Sequence, residues 1–132
     1  MPNIPCMTSD GLTLHTEYAL PDGEPKAVVL IVHGYGEHSG RYAHVIARLV
    51  SSGYAVYTLD HRGHGKSEGV RAYCDYMDQF VDDLKRYFDT ITAAYSAKKL
   101  YVLGHSMGAL ISLAFTQRYQ DEIAGLVISG AP

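Results

Sequence analysis

Residues Ala27 to Val32 read Ala-Val-Val-Leu-Ile-Val, an unbroken and mostly β-branched apolar run. A strand with one wet face alternates apolar and polar residues, whereas an unbroken run fits a strand covered on both faces, as in a parallel sheet packed between helices. Beyond it the periodicity changes. Tyr42, Val45, Ile46, Leu49 and Val50 fall on one apolar stripe of a helix. Gly53 sits just past that stripe, where the chain turns through a left-handed conformation. Tyr54 to Leu59 reads as a second buried strand, and about Asp75 to Tyr95 as a longer helix with Phe80, Leu84, Tyr87, Phe88 and Ile91 inside. Leu100 to Leu103 is a short strand. Met107 to Tyr119 is a helix apolar over most of its circumference and hence expected to be deeply buried. Ile123 to Ser129 is a last strand. Ahead of these, the Asp10-Gly11 turn and the loose alternation of Leu12 to Leu20 read as a hairpin, closed by Pro21-Asp22-Gly23. The expected class is α/β: a mainly parallel sheet with an N-terminal antiparallel hairpin and flanking helices.

Chemistry enters at Gly104-His105-Ser106-Met107-Gly108. This is a G-x-S-x-G placed directly after a strand and directly before a helix, the context in which the pattern forms a nucleophile elbow. The requirement is steric. A serine on a strained strand-to-helix turn projects its Oγ clear of the sheet, and the residues two before and two after it must be small enough for backbones to approach. Gly104 and Gly108 meet that need. The helix beginning at Met107 points its free N–H groups and positive dipole end toward the serine, which favours negative charge there. The bland alternative is a serine that merely caps the helix.

Two Gly-rich loops follow the other buried strands. His33-Gly34-Tyr35-Gly36 is placed so that a backbone N–H can face Ser106 and help bind a tetrahedral oxyanion. The donors expected are the N–H of Tyr35 and that of Met107, the residue after the nucleophile. Asp60-His61-Arg62-Gly63-His64-Gly65-Lys66-Ser67 follows the second strand; its charged groups are expected to pair locally, and it is given no catalytic role. Together, H-G-Y-G-E-H-S-G-R-Y (33–42), D-H-R-G-H-G-K-S-E-G (60–69) and G-H-S-M-G (104–108) resemble the monoacylglycerol lipase and lysophospholipase-like branch of the α/β-hydrolases, in that family's order and spacing. The resemblance runs from the hairpin to Pro132. It implies an α/β-hydrolase fold, Ser106 as nucleophile, Tyr35 and Met107 as oxyanion donors, Gly34, Gly104 and Gly108 as the close-packing glycines, no cofactor and no metal, and an ester or lipid substrate. Ala109 departs from the further glycine many relatives carry; alanine is small and a good helix former, so the effect is minor. Ser106, where dehalogenase and epoxide hydrolase members use Asp, argues for acyl transfer from an ester.

The remaining polar residues have plainer readings. His61 and His64 lack a third ligand at a recognisable spacing, so no metal site is expected. His33 is expected to hold its loop, His38 to be a loop residue, and His105 to be structural. His15 and His44 are expected at the surface. Asp75, Asp78, Asp82 and Asp83 read as a solvated acidic face at a helix start, complementary to the helix dipole. The net charge of −3 offers no basic stripe for nucleic acid, and the 11 tyrosines are scattered rather than gathered into a stacking platform. Cys6 and Cys74 are read as reduced thiols. The start at Met1 shows no leader-like pattern, and the longest apolar run falls far short of a membrane span, so the expected compartment is the cytoplasm.

A serine nucleophile needs a base, and in this fold the order along the chain is Ser, then Asp or Glu, then His. No histidine follows Ser106, and the acids after it, Asp121 and Glu122, lie at the far end of the next helix. The chain is therefore expected to be one incomplete domain over 1–132: the N-terminal half of a fold that usually runs to ~200–250 residues or more. The lid, two further strands and the triad Asp and His are expected to lie outside it. On that reading the strand at 123–129 presents an apolar edge open to self-association, and the chain alone has little or no esterase turnover. A short non-catalytic relative that binds through that edge is the alternative.

Overall fold

A computed structural model describes residues 4–95 and 98–130. The Met1–Asn3 start and the Pro132 terminus, both read above, lie outside the described residues.

Among the described residues, seven strands and three α-helices follow one another in the order β1 (Cys6–Met7), β2 (Thr13–Leu14), β3 (Thr16–Ala19), β4 (Val28–Val32), α1 (Ala43–Ser51), β5 (Ala55–Leu59), α2 (Asp78–Ala94), β6 (Leu100–His105), α3 (Met107–Tyr119) and β7 (Gly125–Ser129). Five strands form the main sheet in the order β3-β5-β4-β6-β7. β3 runs antiparallel to β5, and the other pairings are parallel.

The N-terminal hairpin differs from its expected form. Thr13–Leu14 pairs with Cys6–Met7 in a separate two-stranded ribbon, and Thr16–Ala19 leaves that ribbon to join the main sheet. Half-buried His15 sits at the break, where its N–H donates to Ser67 Oγ instead of a strand partner.

β4 shows why its sequence does not alternate. Val28, Leu30 and Val32 face a core built with α2 and α3, including Leu84, Phe88, Ile111 and Phe115. Val29 and Ile31 face a second core with Tyr42 and Ile46 at α1. Every strand residue is buried. The helix expected from Tyr42 to Val50 runs Ala43–Ser51, and Gly53 adopts φ +98° just past its end. α2 begins at Asp78, a few residues after the expected Asp75.

Two expectations about helices are corrected. α3 is not deeply buried all round: Ile111 and Phe115 are enclosed, but Leu110 and Leu113 on its other side are exposed. Nor is the acidic face of α2 uniformly solvated. Asp83 is 1% exposed, because its carboxylate turns inward to Arg62, while Asp78 and Asp82 stay at the surface beside Arg118.

Topology places the site. The chain leaves β4 to build β5 on one side and then returns to build β6 on the other, so the strand order reverses at β4. In open α/β sheets ligands bind outside the carboxyl ends of the strands at such a point. There the register sets Val32 beside both Leu59 and Gly104. The loops after β4, β5 and β6 therefore emerge together.

Candidate active site

Ser106 stands alone between β6 and α3, with φ +55° and ψ −119°. A side chain at positive φ costs on the order of 1–3 kcal/mol and persists only where surrounding structure demands it. Here the demand comes from both sides. The Ser106 N–H donates to Ser129 O on β7 at 3.0 Å, and the Ser106 carbonyl accepts from Ala109 N–H at 2.9 Å, already inside the helix.

The elbow glycines are in contact with backbone. A Cβ on Gly104 would lie 2.5 Å from Ser112 Oγ and still closer to Gly108 O, and a Cβ on Gly108 would overlap the carbonyl oxygens of Val32 and His33. Gly34 is the third. A Cβ there would stand 3.1 Å from His105 O and 3.2 Å from Ser106 Cβ. The β4 loop thus presses against the serine itself, and the three glycines singled out in the sequence are brought to one place. Tyr35, with its side chain exposed, follows Gly34 directly. Among the described residues the N–H groups of Tyr35 and Met107 have no hydrogen-bond acceptor. An arrangement of this kind, a projected hydroxyl beside unpaired backbone donors and a helix N-terminus, can stabilise the anion formed when the hydroxyl adds to an acyl carbonyl.

The supporting loops hold this geometry through contacts that the sequence did not disclose. Glu37 Oε1 accepts from Gly34 N–H at 2.7 Å and from Tyr42 OH at 2.9 Å, closing the loop on itself. Burial works against the Glu37 charge, yet those two donors hold its carboxyl below the usual range. Asp60 accepts from the N–H groups of Ser39 at 2.7 Å and Lys66 at 3.0 Å, joining the β4 and β5 loops. Burial opposes its charge too, and the backbone donors again prevail.

Arg62 corrects the expectation of local pairing. Its guanidinium bonds Asp83 at 2.8 and 2.9 Å and Asp10 at 2.9 and 3.0 Å, tying the β5 loop to α2 and to the N-terminal turn. Burial pushes the Asp83 carboxyl up, and the Arg62 charge beside it pulls the other way. The sign of this pairing was legible in neither segment alone.

The histidines separate into groups. His33, His61 and His64 lie together beneath the β4 loop, with ring centroids 4.2 Å (His33–His61) and 5.3 Å (His33–His64) apart and Phe80 beside them. Burial pushes His33 down to about 4 and His61 well below its ordinary value. His38 Nδ1 accepts from Gly40 N–H and caps a 3₁₀ turn. His105 lies 3.3 Å from Ser129 Oγ, His15 meets Glu17, and His44 is exposed. Among the described residues no group of three His, Cys, Asp or Glu side chains is placed to hold a metal ion. No described helix is long and apolar enough to cross a membrane.

Residues 23–132 match the family described as serine aminopeptidase, S33. The chain is 43% identical over 110 residues to a monoacylglycerol lipase of Mycolicibacterium smegmatis, covering 83% of this chain and 39% of that protein. It is 36% identical over 122 residues to the human (Homo sapiens) monoglyceride lipase, covering 92% of this chain and 40% of that protein. The crystal structure of a thermostable carboxyl esterase from Bacillus coagulans in complex with glycerol superposes with a TM-score of 0.87 at 25% identity, covering 96% of this chain and 43% of that one. The chain thus spans about two-fifths of the length of the relatives it matches. Motifs, sheet order and elbow agree with that match, and the chain belongs to the serine aminopeptidase, S33 family of α/β-hydrolases.

Proposed function

We propose that Ser106 is the nucleophile of a carboxylic ester hydrolase acting on monoacylglycerol- or lysophospholipid-type lipids. Its Oγ attacks the acyl carbonyl, the backbone N–H groups of Tyr35 and Met107 hold the oxyanion, and the alcohol leaves to give an acyl-enzyme that water then cleaves. The observation that carries this reading is the Ser106 backbone: a non-glycine residue at φ +55°, pressed against Gly34 of the neighbouring loop. The substrate class is drawn from relatives named monoacylglycerol lipase and monoglyceride lipase. Attack requires a base and an orienting acid. No histidine follows Ser106, and His33, His61 and His64 are committed to the β4 and β5 loops, so the 132-residue chain by itself is expected to turn over little or no ester. Free Cys6 and Cys74 fit a reducing, cytoplasmic setting.

An ester panel on the complete gene product and on the 132-residue chain tests this. The reading expects monoacylglycerol hydrolysis by the former, lost in Ser106→Ala, and negligible turnover by the latter. Activity that survives Ser106→Ala overturns the nucleophile, and p-nitrophenyl ester turnover by the short chain, abolished by the same change, overturns its inactivity. A second reading, a binding module without catalysis, is favoured by the open edge of β7, where Val127 and Ile128 are exposed. It expects no ester turnover by the complete product.

A further inference from the structure

The buried histidines carry a constraint that packing alone does not require. His33 Nε2 accepts the backbone N–H of His61 at 2.9 Å. That nitrogen is therefore bare, and the proton of neutral His33 sits on Nδ1. From there it is donated to the carbonyl of Gly34 at 2.7 Å. The His61 ring returns the contact, since its Nε2 lies 2.9 Å from the carbonyl of His33 and can only donate to it. His61 thus grips His33 at both the ring and the backbone.

The Gly34 carbonyl belongs to the same planar peptide unit as the Tyr35 N–H. Oxygen and hydrogen lie on opposite edges of that plane, so pinning the oxygen sets where the N–H points. Glu37 holds the preceding peptide through Gly34 N–H. The unit has no remaining freedom to turn.

Packing alone does not explain an imidazole at 61. The His61 side chain is fully enclosed, against Phe80 at 5.2 Å between centroids, and its Nδ1 has no partner among the described residues. An unpaired buried acceptor is a net cost to folding. A phenylalanine would fill similar space without that cost, but its side chain could not donate to the His33 carbonyl. The imidazole is retained with its bond at Nε2, at the expense of a stranded Nδ1.

We infer that His61 is a positioning residue. Its imidazole holds the His33 carbonyl while its main-chain N–H fixes the Nδ1–H tautomer of His33, and together they set the Gly34–Tyr35 peptide so that the Tyr35 N–H is presented as an oxyanion donor. The inference rests on the proposed role of Tyr35.

Two-bond proton–nitrogen NMR of the imidazoles in this chain at neutral pH reads the tautomers, and the Tyr35 amide resonance reads the peptide. The expected result is His33 protonated on Nδ1 and His61 on Nε2. His61→Phe keeps the main-chain N–H at 61 but loses the side-chain bond to the His33 carbonyl, so it should leave the His33 tautomer in place and move the Tyr35 amide. His61→Gln, whose side-chain amide can place an N–H near the former Nε2, should restore the wild-type Tyr35 amide. If His61→Phe does not fold, His61→Gln decides alone: retention of the wild-type Tyr35 amide supports the inference, and its loss overturns it. His33 protonated on Nε2 in the wild-type chain, or a Tyr35 amide unchanged in His61→Phe, also overturns it. No substrate or catalytic base enters the measurement. An inactive enzyme with these tautomers would contradict the hydrolase reading alone, and an active one with His33 protonated on Nε2 would contradict this inference alone.

Discussion

The α-carbon of Gly108 faces the carbonyl of Val32 so closely that a methyl group would overlap the oxygen. The first turn of α3 is thereby docked on the end of β4, and Ser106 is lifted between them. Gly108→Ala must push helix and strand apart, and overpacking of this kind costs about 1–3 kcal/mol. Gly104→Ala meets Gly108 O and Ser112 Oγ and should behave alike. Gly11→Ala, in open space at φ +92°, carries only backbone strain, on the order of 1 kcal/mol. Urea midpoints of the three variants check this order; equal losses would refute the docking argument.

Arg62 is the partner that makes a buried Asp83 tolerable. Arg62→Met should destabilise the chain by about 3–5 kcal/mol, because it strands a carboxylate in the core. Arg62→Met combined with Asp83→Leu should recover most of the loss. Asp10→Ala, which removes the half-exposed partner, should cost less than Arg62→Met. Chemical denaturation of the set measures the coupling, and additive single and double losses would contradict it.

Acid should weaken the fold through His33. Burial lowers its pKa to about 4, against about 6.5 in an unfolded chain. The unfolded state therefore binds the proton first, and stability is lost as pH falls from about 6.5 toward 4. The depressed His61 acts in the same direction. The groups facing His33 are Asp60, Glu37 and His64; the two carboxylates, held below their usual range, remain charged across this window. His33 alone should remove about 2 kcal/mol between pH 7 and pH 5. Urea unfolding across that range reads the slope, and a flat profile would contradict it.

The Ser112 hydroxyl lies beneath the elbow, buried and without a partner among the described residues. Ser112→Ala removes an unsatisfied polar atom while keeping the volume close, so its effect should lie between neutral and a gain of about 1 kcal/mol. A loss above that size in thermal unfolding would show that the hydroxyl has a partner.

β7 forms one edge of the sheet, with Val127 and Ile128 exposed on it. Such an edge offers unpaired backbone groups and apolar side chains to another copy. The chain should self-associate at micromolar concentration, and Ile128→Lys should shift it toward monomer. Light scattering that shows a monodisperse monomer would contradict this.

How far these features could be read in advance depended on how local their causes are. The all-apolar run of β4, the run of β5 broken only by Thr58 and the stripe of α1 announce themselves through periodicity, because burial acts residue by residue. Gly104, Ser106 and Gly108 were legible because one turn's sterics demand them in fixed spacing. Gly34 needed the loop's place after β4 as well. The Arg62–Asp83 pair was not legible, since the partners stand in different segments and a charge run looks the same whether solvated or turned inward. Leu110 and Leu113 misled in the opposite direction: an apolar helix surface does not say which neighbour covers it. The split of Leu12–Leu20 between two sheets turns on long-range pairing with β5. The clasp of His33 by His61 depends on a backbone N–H, which leaves no trace in residue type.

The most direct test of Ser106 as an acyl-accepting nucleophile is its reaction with a fluorophosphonate, located by peptide mass spectrometry. In the 132-residue chain, with no histidine after Ser106, added imidazole serves as the base. The account predicts one adduct per chain, on the peptide bearing Ser106, formed faster as imidazole is raised and absent in Ser106→Ala. No adduct on Ser106 at any imidazole concentration, or the same yield from the Ser106→Ala chain, would contradict it.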